Sequence, residues 1–107
     1  MSDHRQNFLC EYDLDLRFCN HFGIDHRRVY EAIHSFLNNR GWKKLQYSVW
    51  LCYNKRRNSV LNEIDFLVAY IEQSFTGLQP PTILSPGIFK RLHTQVFVQP
   101  NVHRSRP

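Results

Sequence analysis

Residues 8–16, close to the start of the chain, alternate apolar side chains with mostly polar ones at a period of two. The apolar positions are Phe8, Cys10, Tyr12, Leu14 and Leu16. Because successive side chains of a strand point to opposite faces, the pattern predicts a half-buried strand over 8–16. The second face of this strand carries Glu11, Asp13 and Asp15, about 6–7 Å apart. These are three of only nine acidic residues in a chain whose net charge is +5, so their alignment on one strand face needs a physical explanation.

Two amphipathic helices are predicted further along the chain. The first runs over 26–39, with Asp25 as its N-cap and Gly41 just past its last turn. The second begins after Asn58 or Ser59 and ends before Gly77. Apolar residues recur at helical spacing in both, at Val29, Ile33, Phe36 and Leu37 and at Leu61, Ile64, Leu67, Val68, Ile71 and Phe75.

Period-two alternation returns over 42–53 and over 90–99, which predicts further strands. The first of these segments is long for a strand, and a bend near 46–48 is expected to divide it in two. The order of elements predicts an α+β fold, a ferredoxin-like split β-α-β two-layer sandwich with the order βαββαβ. We expect a single domain over 1–99 and a basic, disordered tail over 100–107, with a proline-rich insertion before the last strand.

The sheet face away from the helices is predicted to be too apolar for simple solvation. We expect Leu9, Glu11 and Asp13 on it, beside Gln46, Ser48 and Trp50 from the middle segment. A homodimer that buries this face is the economical solution, with Leu9 and Trp50 at the dimer interface.

Composition restricts the compartment and the partners. Three cysteines with no C-x-x-C spacing argue against a disulfide framework and a structural zinc site, and favour a reducing compartment. The first residues lack the apolar run of a signal peptide, so we expect a cytoplasmic protein with no membrane partner. The isoelectric point near 9.4 permits a polyanionic partner. The candidate phosphate contacts are Arg27, Arg28, Lys43, Lys44, Lys55, Arg56 and Arg57.

Three short motifs together resemble the VapD (virulence-associated protein D) family and its relative, the small CRISPR-associated protein that partners the spacer integrase. They are the aromatic-aspartate pair at 12–13, a helix that closes with Leu37 and Gly41, and the Gln-x-Ser-Val-aromatic run over 46–50. The resemblance implies a ferredoxin-like homodimer and an endoribonuclease of toxin type. It also places the strand-end aspartate of the family on Asp13 and its serine on Ser48.

Two chemical routes to phosphodiester cleavage follow from this resemblance. In the first, Asp13 and its symmetry mate hold Mg²⁺ with help from Asp15 or Glu11, and Ser48 binds phosphate or a metal-bound water. The second needs no metal: a histidine or tyrosine deprotonates the ribose 2′-hydroxyl, and another such side chain protonates the leaving oxygen. The candidate histidines are His21, His26, His34 and His93.

Two functions without catalysis remain open. One is a nucleic-acid-binding scaffold of the CRISPR spacer-adaptation type, which binds duplex DNA together with an integrase. The other is a toxin–antitoxin component that acts only through its protein partner. No glycine-rich phosphate loop is present, since the four glycines are scattered, so nucleotide hydrolysis is not expected.

Overall fold

Four strands form one antiparallel sheet in the computed structural model, which describes residues 4–77 and 87–98. The strands are β1 (Arg5–Leu14), β2 (Lys43–Gln46), β3 (Val49–Arg56) and β4 (Phe89–Val96). Their order in the sheet is β2-β3-β1-β4, so the first strand of the chain lies inside the sheet between β3 and β4. The helices are α1 (Leu16–His21), α2 (His26–Asn39) and α3 (Arg57–Thr76). The α+β prediction with an alternating sheet is therefore confirmed.

The core lies between one face of the sheet and the helices. The alternating residues Phe8, Cys10, Tyr12 and Leu14 of β1 are buried there, as the pattern predicted. The predicted stripe of α2 and half of that of α3 belong to the same cluster, whereas Leu61 of the α3 stripe is exposed. The buried members are Val29, Ile33, Phe36, Leu37, Ile64, Leu67 and Ile71. Burying each such side chain contributes about 1.5–3 kcal/mol before the entropy cost, so this apolar layer holds the helices on the sheet.

Local signals set the ends of α2. The helix has the predicted bounds, and the Asp25 carboxylate accepts a hydrogen bond from the Arg27 amide at 3.0 Å. Gly41 follows the last turn at φ +85°, a left-handed conformation that favours glycine. The start of α3 differs from the prediction, because it begins at Arg57 rather than after Asn58 or Ser59. Its N-cap is Arg56, whose side chain makes no capping hydrogen bond.

The first strand ends two residues earlier than predicted. β1 stops at Leu14, and the Asp15 carboxylate caps α1 by accepting a hydrogen bond from the Phe18 amide at 3.0 Å. The period-two pattern continues through Leu16 by coincidence, and the preference of aspartate for a helix N-cap decides the local structure. Placing Asp15 on the acidic strand face was therefore wrong, and only Glu11 and Asp13 remain on it.

The placement of Trp50 on the face away from the helices was also wrong. The bend over 46–48 is confirmed as a turn at Tyr47 and Ser48 that separates β2 from β3. Trp50 then pairs with Cys10, is only 3% exposed, and lies 5.2 Å from the His34 ring of α2. The prediction assigned the even-numbered residues of 42–53 to the face away from the helices, whereas the register places Leu51 there, opposite Leu9. Trp50 belongs to the core and not to a dimer interface.

No helix within 4–77 and 87–98 is both long and apolar enough to cross a membrane. The predicted tail over 100–107 lies outside the described residues, as do residues 78–86 of the insertion.

A buried carboxylate on α3 anchors the chain where it enters β4. Glu72 is 4% exposed, and its Oε2 atom accepts a hydrogen bond from the Ile88 amide at 2.7 Å. Gly87 packs against the same carboxyl group, since a Cβ atom at Gly87 would lie 2.4 Å from that oxygen. Burial raises the pKa of Glu72, and the backbone amides of Ile88 and Phe89 partly offset this effect.

We predict that Gly87→Ala destabilises the protein by about 1–3 kcal/mol, because the added methyl group overpacks a carboxylate held by a backbone amide. Urea denaturation measures the loss. In a Glu72→Ala background the same substitution should cost much less, since the clashing group is gone. An equal loss of stability in both backgrounds would show that contact with the Glu72 carboxyl group is not what makes a methyl group at position 87 unfavourable.

The pH dependence of stability provides a second test of this anchor. Because the pKa of Glu72 is raised in the folded state, its contribution to stability is fully present below the unfolded pKa of about 4.3. That contribution is lost as the pH rises through the folded pKa. We therefore expect the free energy of unfolding of the wild type, relative to that of Glu72→Gln, to fall between pH 4 and pH 7. A constant difference across this range would contradict the prediction.

Candidate functional site

The face of the sheet opposite the helices, here called the open face, is defined by β1 and its cross-strand partners. Leu9, Glu11 and Asp13 lie on it as predicted, because they alternate with the buried residues of β1. Their partners on β4 are Gln95, His93 and Arg91, and the partners of Leu9 and Glu11 on β3 are Leu51 and Val49. Leu51 is only 3% exposed, so the Leu9–Leu51 pair forms an apolar centre on this face. A dimer across the face stays a prediction.

A pocket of about 220 Å³ opens where the Tyr47–Ser48 turn approaches the end of β1. We call it the open-face pocket, and it is lined by Glu11, Tyr12, Asp13, Ser48, Val49, Arg91 and His93. It brings together Asp13 and Ser48, the two residues that the family resemblance selected. A β-bulge between Asp13 and Leu14 interrupts the ladder beside it, and such irregularities are frequent next to active sites.

Arg91 is the closest partner of Asp13. Its Nε atom donates a hydrogen bond to Asp13 Oδ2 at 3.1 Å, and its Nη2 atom donates to the same oxygen. Asp13 raises the pKa of Arg91, mainly through this hydrogen bond, so the guanidinium stays charged. Both side chains remain accessible to solvent. Asp13 therefore forms an ion pair that holds the positively charged side chain of Arg91 at the pocket.

His93 faces Glu11 in the neighbouring cross-strand pair. The Nδ1 atom of His93 lies 3.9 Å from Glu11 Oε1, close enough for an ion pair but too far for a direct hydrogen bond. This orientation turns Nδ1 toward the carboxylate and leaves Nε2 on the opposite edge of the ring. The pocket thus combines two carboxylates, one guanidinium, one imidazole and the hydroxyl of Ser48.

Backbone contacts fix the turn that carries Ser48. The carbonyl of Ser48 accepts a hydrogen bond from the Tyr12 amide at 3.2 Å. The carbonyl of Tyr47 accepts from His34 Nε2 at 2.9 Å and, more weakly, from the Tyr12 hydroxyl at 3.5 Å. Burial lowers the pKa of His34, which suits a neutral ring that donates to a carbonyl. The role of His34 is thus to hold the turn.

Of the four histidines considered, only His93 lines the open-face pocket. His21 ends α1 and His26 begins α2, where its ring packs edge-on against Tyr30. Sequence reasoning included His93 among the candidates but did not place it beside Asp13, and it missed Arg91 entirely. The alternation of β4 indicates that Arg91 and His93 share a face of the sheet. The pairing register of β4 against β1, however, cannot be obtained from the sequence of either strand alone.

The residues of a single chain do not fit a Mg²⁺ site. Mg²⁺ prefers several oxygen ligands in near-octahedral geometry, whereas Asp13 and Glu11 already face Arg91 and His93. Within 4–77 and 87–98, no group of three or more His, Cys, Asp or Glu side chains is placed to hold a metal. Asp15 does not line the pocket. The site formed by Asp13 from two chains stays a prediction.

The basic residues expected to contact phosphate do not form one surface. Arg27, Arg28, Lys43, Lys44, Arg56 and Arg57 are exposed. Lys55 differs, since its Nζ atom donates to Glu63 Oε2 at 3.0 Å and to the Arg40 carbonyl at 3.2 Å. Lys43 lies opposite Leu51 on the open face, while Lys44 lies opposite Trp50. The strand position of Lys43 therefore faces the same side of the sheet as the pocket.

Cysteine chemistry is not available in the folded protein. All three cysteines are buried, and burial raises the pKa of Cys10 to about 12 and that of Cys52 to about 11. Since the thiolate is the nucleophilic form, these thiols are inert near neutral pH.

Comparison with known proteins finds no family model, no curated protein and no solved structure that matches the chain. The resemblance to the VapD family therefore rests on the three sequence motifs alone.

Proposed function

We propose that the protein is an endoribonuclease of VapD type that cleaves RNA phosphodiesters at the open-face pocket. The observation that carries the proposal is the meeting of Asp13 and Ser48 in one pocket with Arg91 and His93. We also propose that the fold is ferredoxin-like and dimeric. The strand order β2-β3-β1-β4 with antiparallel pairs supports the split β-α-β assignment, and the apolar Leu9–Leu51 pair supports a dimer.

Each polar group of the pocket has a role suited to a phosphodiester. The guanidinium of Arg91 binds a non-bridging phosphate oxygen and stabilises the charge that develops in the transition state. Asp13 orients that guanidinium, and the hydroxyl of Ser48 donates a hydrogen bond to the phosphate. The volume of about 220 Å³ is below the range of about 300–1,000 Å³ for small-molecule sites, so the pocket suits one phosphate better than a whole nucleotide.

We predict that Asp13→Asn lowers RNA cleavage by about 10–100-fold, because Arg91 loses the carboxylate that positions it. Cleavage of a fluorescently labelled RNA by purified protein measures the effect. Asp65→Asn is the matched control, since Asp65 is an exposed acid on α3 outside the pocket. Equal cleavage by the Asp13 variant and the wild type would remove Asp13 from the mechanism.

Chelation separates the two chemical routes in the same assay. The geometry of one chain favours a route through side chains, for which cleavage persists in EDTA. A loss in EDTA that added Mg²⁺ restores would instead support an ion held between Asp13 residues of two chains. In that case the Mg²⁺-dependent form of the proposal is the correct one.

A non-catalytic nucleic-acid scaffold is the second candidate, and the exposure of six predicted phosphate contacts favours it. Such a protein binds duplex DNA with strong salt dependence and cleaves nothing. An integrase as a protein partner belongs to this candidate, whereas an antitoxin belongs to the alternative of a toxin–antitoxin component.

If the scaffold proposal holds, Lys43→Gln should reduce the slope of log affinity against log salt by about 0.9, the value for one phosphate contact on B-DNA. Mobility-shift titrations at several salt concentrations measure the slope. Lys90→Gln removes the same charge from β4 outside the predicted set and should leave the slope unchanged. Identical slopes for both variants would exclude Lys43 from the interface.

A further inference from the structure

The pair formed by Glu11 and His93 is the part of the open-face pocket that the proposed phosphate contacts leave without a role. The two residues are direct cross-strand partners, with Nδ1 of His93 3.9 Å from Glu11 Oε1. The side chain of His93 is 60% exposed, so its ring is open to a substrate. Within the described part of the chain, His93 is the one histidine that lines this pocket.

We propose that His93 is the general base that removes the proton from the ribose 2′-hydroxyl, and that Glu11 is its positioning residue. This inference rests on the proposed endoribonuclease function. The carboxylate of Glu11 favours the tautomer with hydrogen on Nδ1, which leaves the lone pair of Nε2 for the substrate. A histidine oriented by a carboxylate is the usual arrangement of a general base.

The position of Arg91 fits this assignment. Arg91 and His93 are two residues apart on β4 and point to the same face, a separation of about 6–7 Å along the strand. Long side chains at this spacing reach neighbouring atoms of one substrate. Arg91 binds a non-bridging oxygen of the scissile phosphate, while His93 reaches the 2′-oxygen of the preceding ribose.

The reaction balances without a metal or a redox partner. Nε2 of His93 takes the 2′-hydroxyl proton, and the 2′-oxygen forms a bond to phosphorus as the bond from phosphorus to the 5′-oxygen breaks. A water molecule supplies a proton to the departing 5′-oxygen, and the resulting hydroxide recovers the proton from His93. The products are a 2′,3′-cyclic phosphate and a 5′-hydroxyl end, with no net consumption of water.

This route specifies the substrate class. Only RNA carries the 2′-hydroxyl, so DNA of the same sequence is not cleaved, and neither is RNA that is 2′-O-methylated at the scissile position. Binding of these analogues is retained, because the phosphate contacts do not involve the 2′-oxygen.

The test is cleavage of a defined RNA by the full-length protein and by His93→Ala, with His21→Ala as the control at an exposed histidine on α1. We expect His93→Ala to reduce the rate about 10²–10⁴-fold with RNA binding unchanged, and added imidazole to restore part of it. Glu11→Gln should lower the rate less. His93→Gln keeps a polar side chain at the position and should be as inactive as His93→Ala without responding to imidazole.

The outcomes distinguish this inference from the proposed function. Cleavage lost in Asp13→Asn but retained in His93→Ala would overturn the base assignment and leave the endoribonuclease proposal intact. Loss in His93→Ala with no rescue by imidazole, or products ending in 3′-hydroxyls, would overturn it too. No cleavage by the wild type under any condition would remove both proposals.

Discussion

The antiparallel register between β1 and β4 is the constraint on which the open face depends. It sets Asp13 opposite Arg91 and Glu11 opposite His93, in two consecutive cross-strand pairs. Because side chains alternate along a strand, a slip of one residue would turn the β4 members of both pairs to the other face. The core prevents that slip, since Leu92 and Val96 of β4 pack against it opposite Tyr12 and Phe8 of β1. The apolar pattern of one strand face thus controls the chemistry of the other.

This register also explains why a basic protein carries a row of acids on its first strand. Asp13 faces Arg91 and Glu11 faces His93 on β4, and the opposite charges of the Asp13–Arg91 pair are favourable directly across a sheet. Asp15 leaves the row because a helix begins there and uses its carboxylate as a cap. The row thus consists of two residues with polar partners on β4 and one helix cap, and only the first two belong to the pocket.

Local patterns predicted the four strands, α2 and α3 but not the short helix α1, and long-range pairing accounts for the side chains that were misplaced or missed. The bounds of α2 follow from Asp25 and Gly41, and the buried positions of β1 follow from simple alternation. Trp50 was misplaced because both alternate sets of residues over 42–53 contain apolar side chains, so the pattern alone does not decide which set faces the core. Arg91 could not be matched to Asp13 from sequence, since 78 residues separate them and the pairing register is a property of the folded sheet.

The anchoring of Ile88 has a consequence for how the molecule tolerates change in chain length. The Ile88 amide donates to Glu72, and its carbonyl accepts from the Asp15 amide at 2.7 Å. Both backbone groups of one residue are therefore clamped between α3 and the end of β1, immediately before the strand that carries Arg91 and His93. We therefore expect the geometry of the pocket to be independent of a longer connection over 78–86. A reporter peptide inserted there should leave β4 in place against β1.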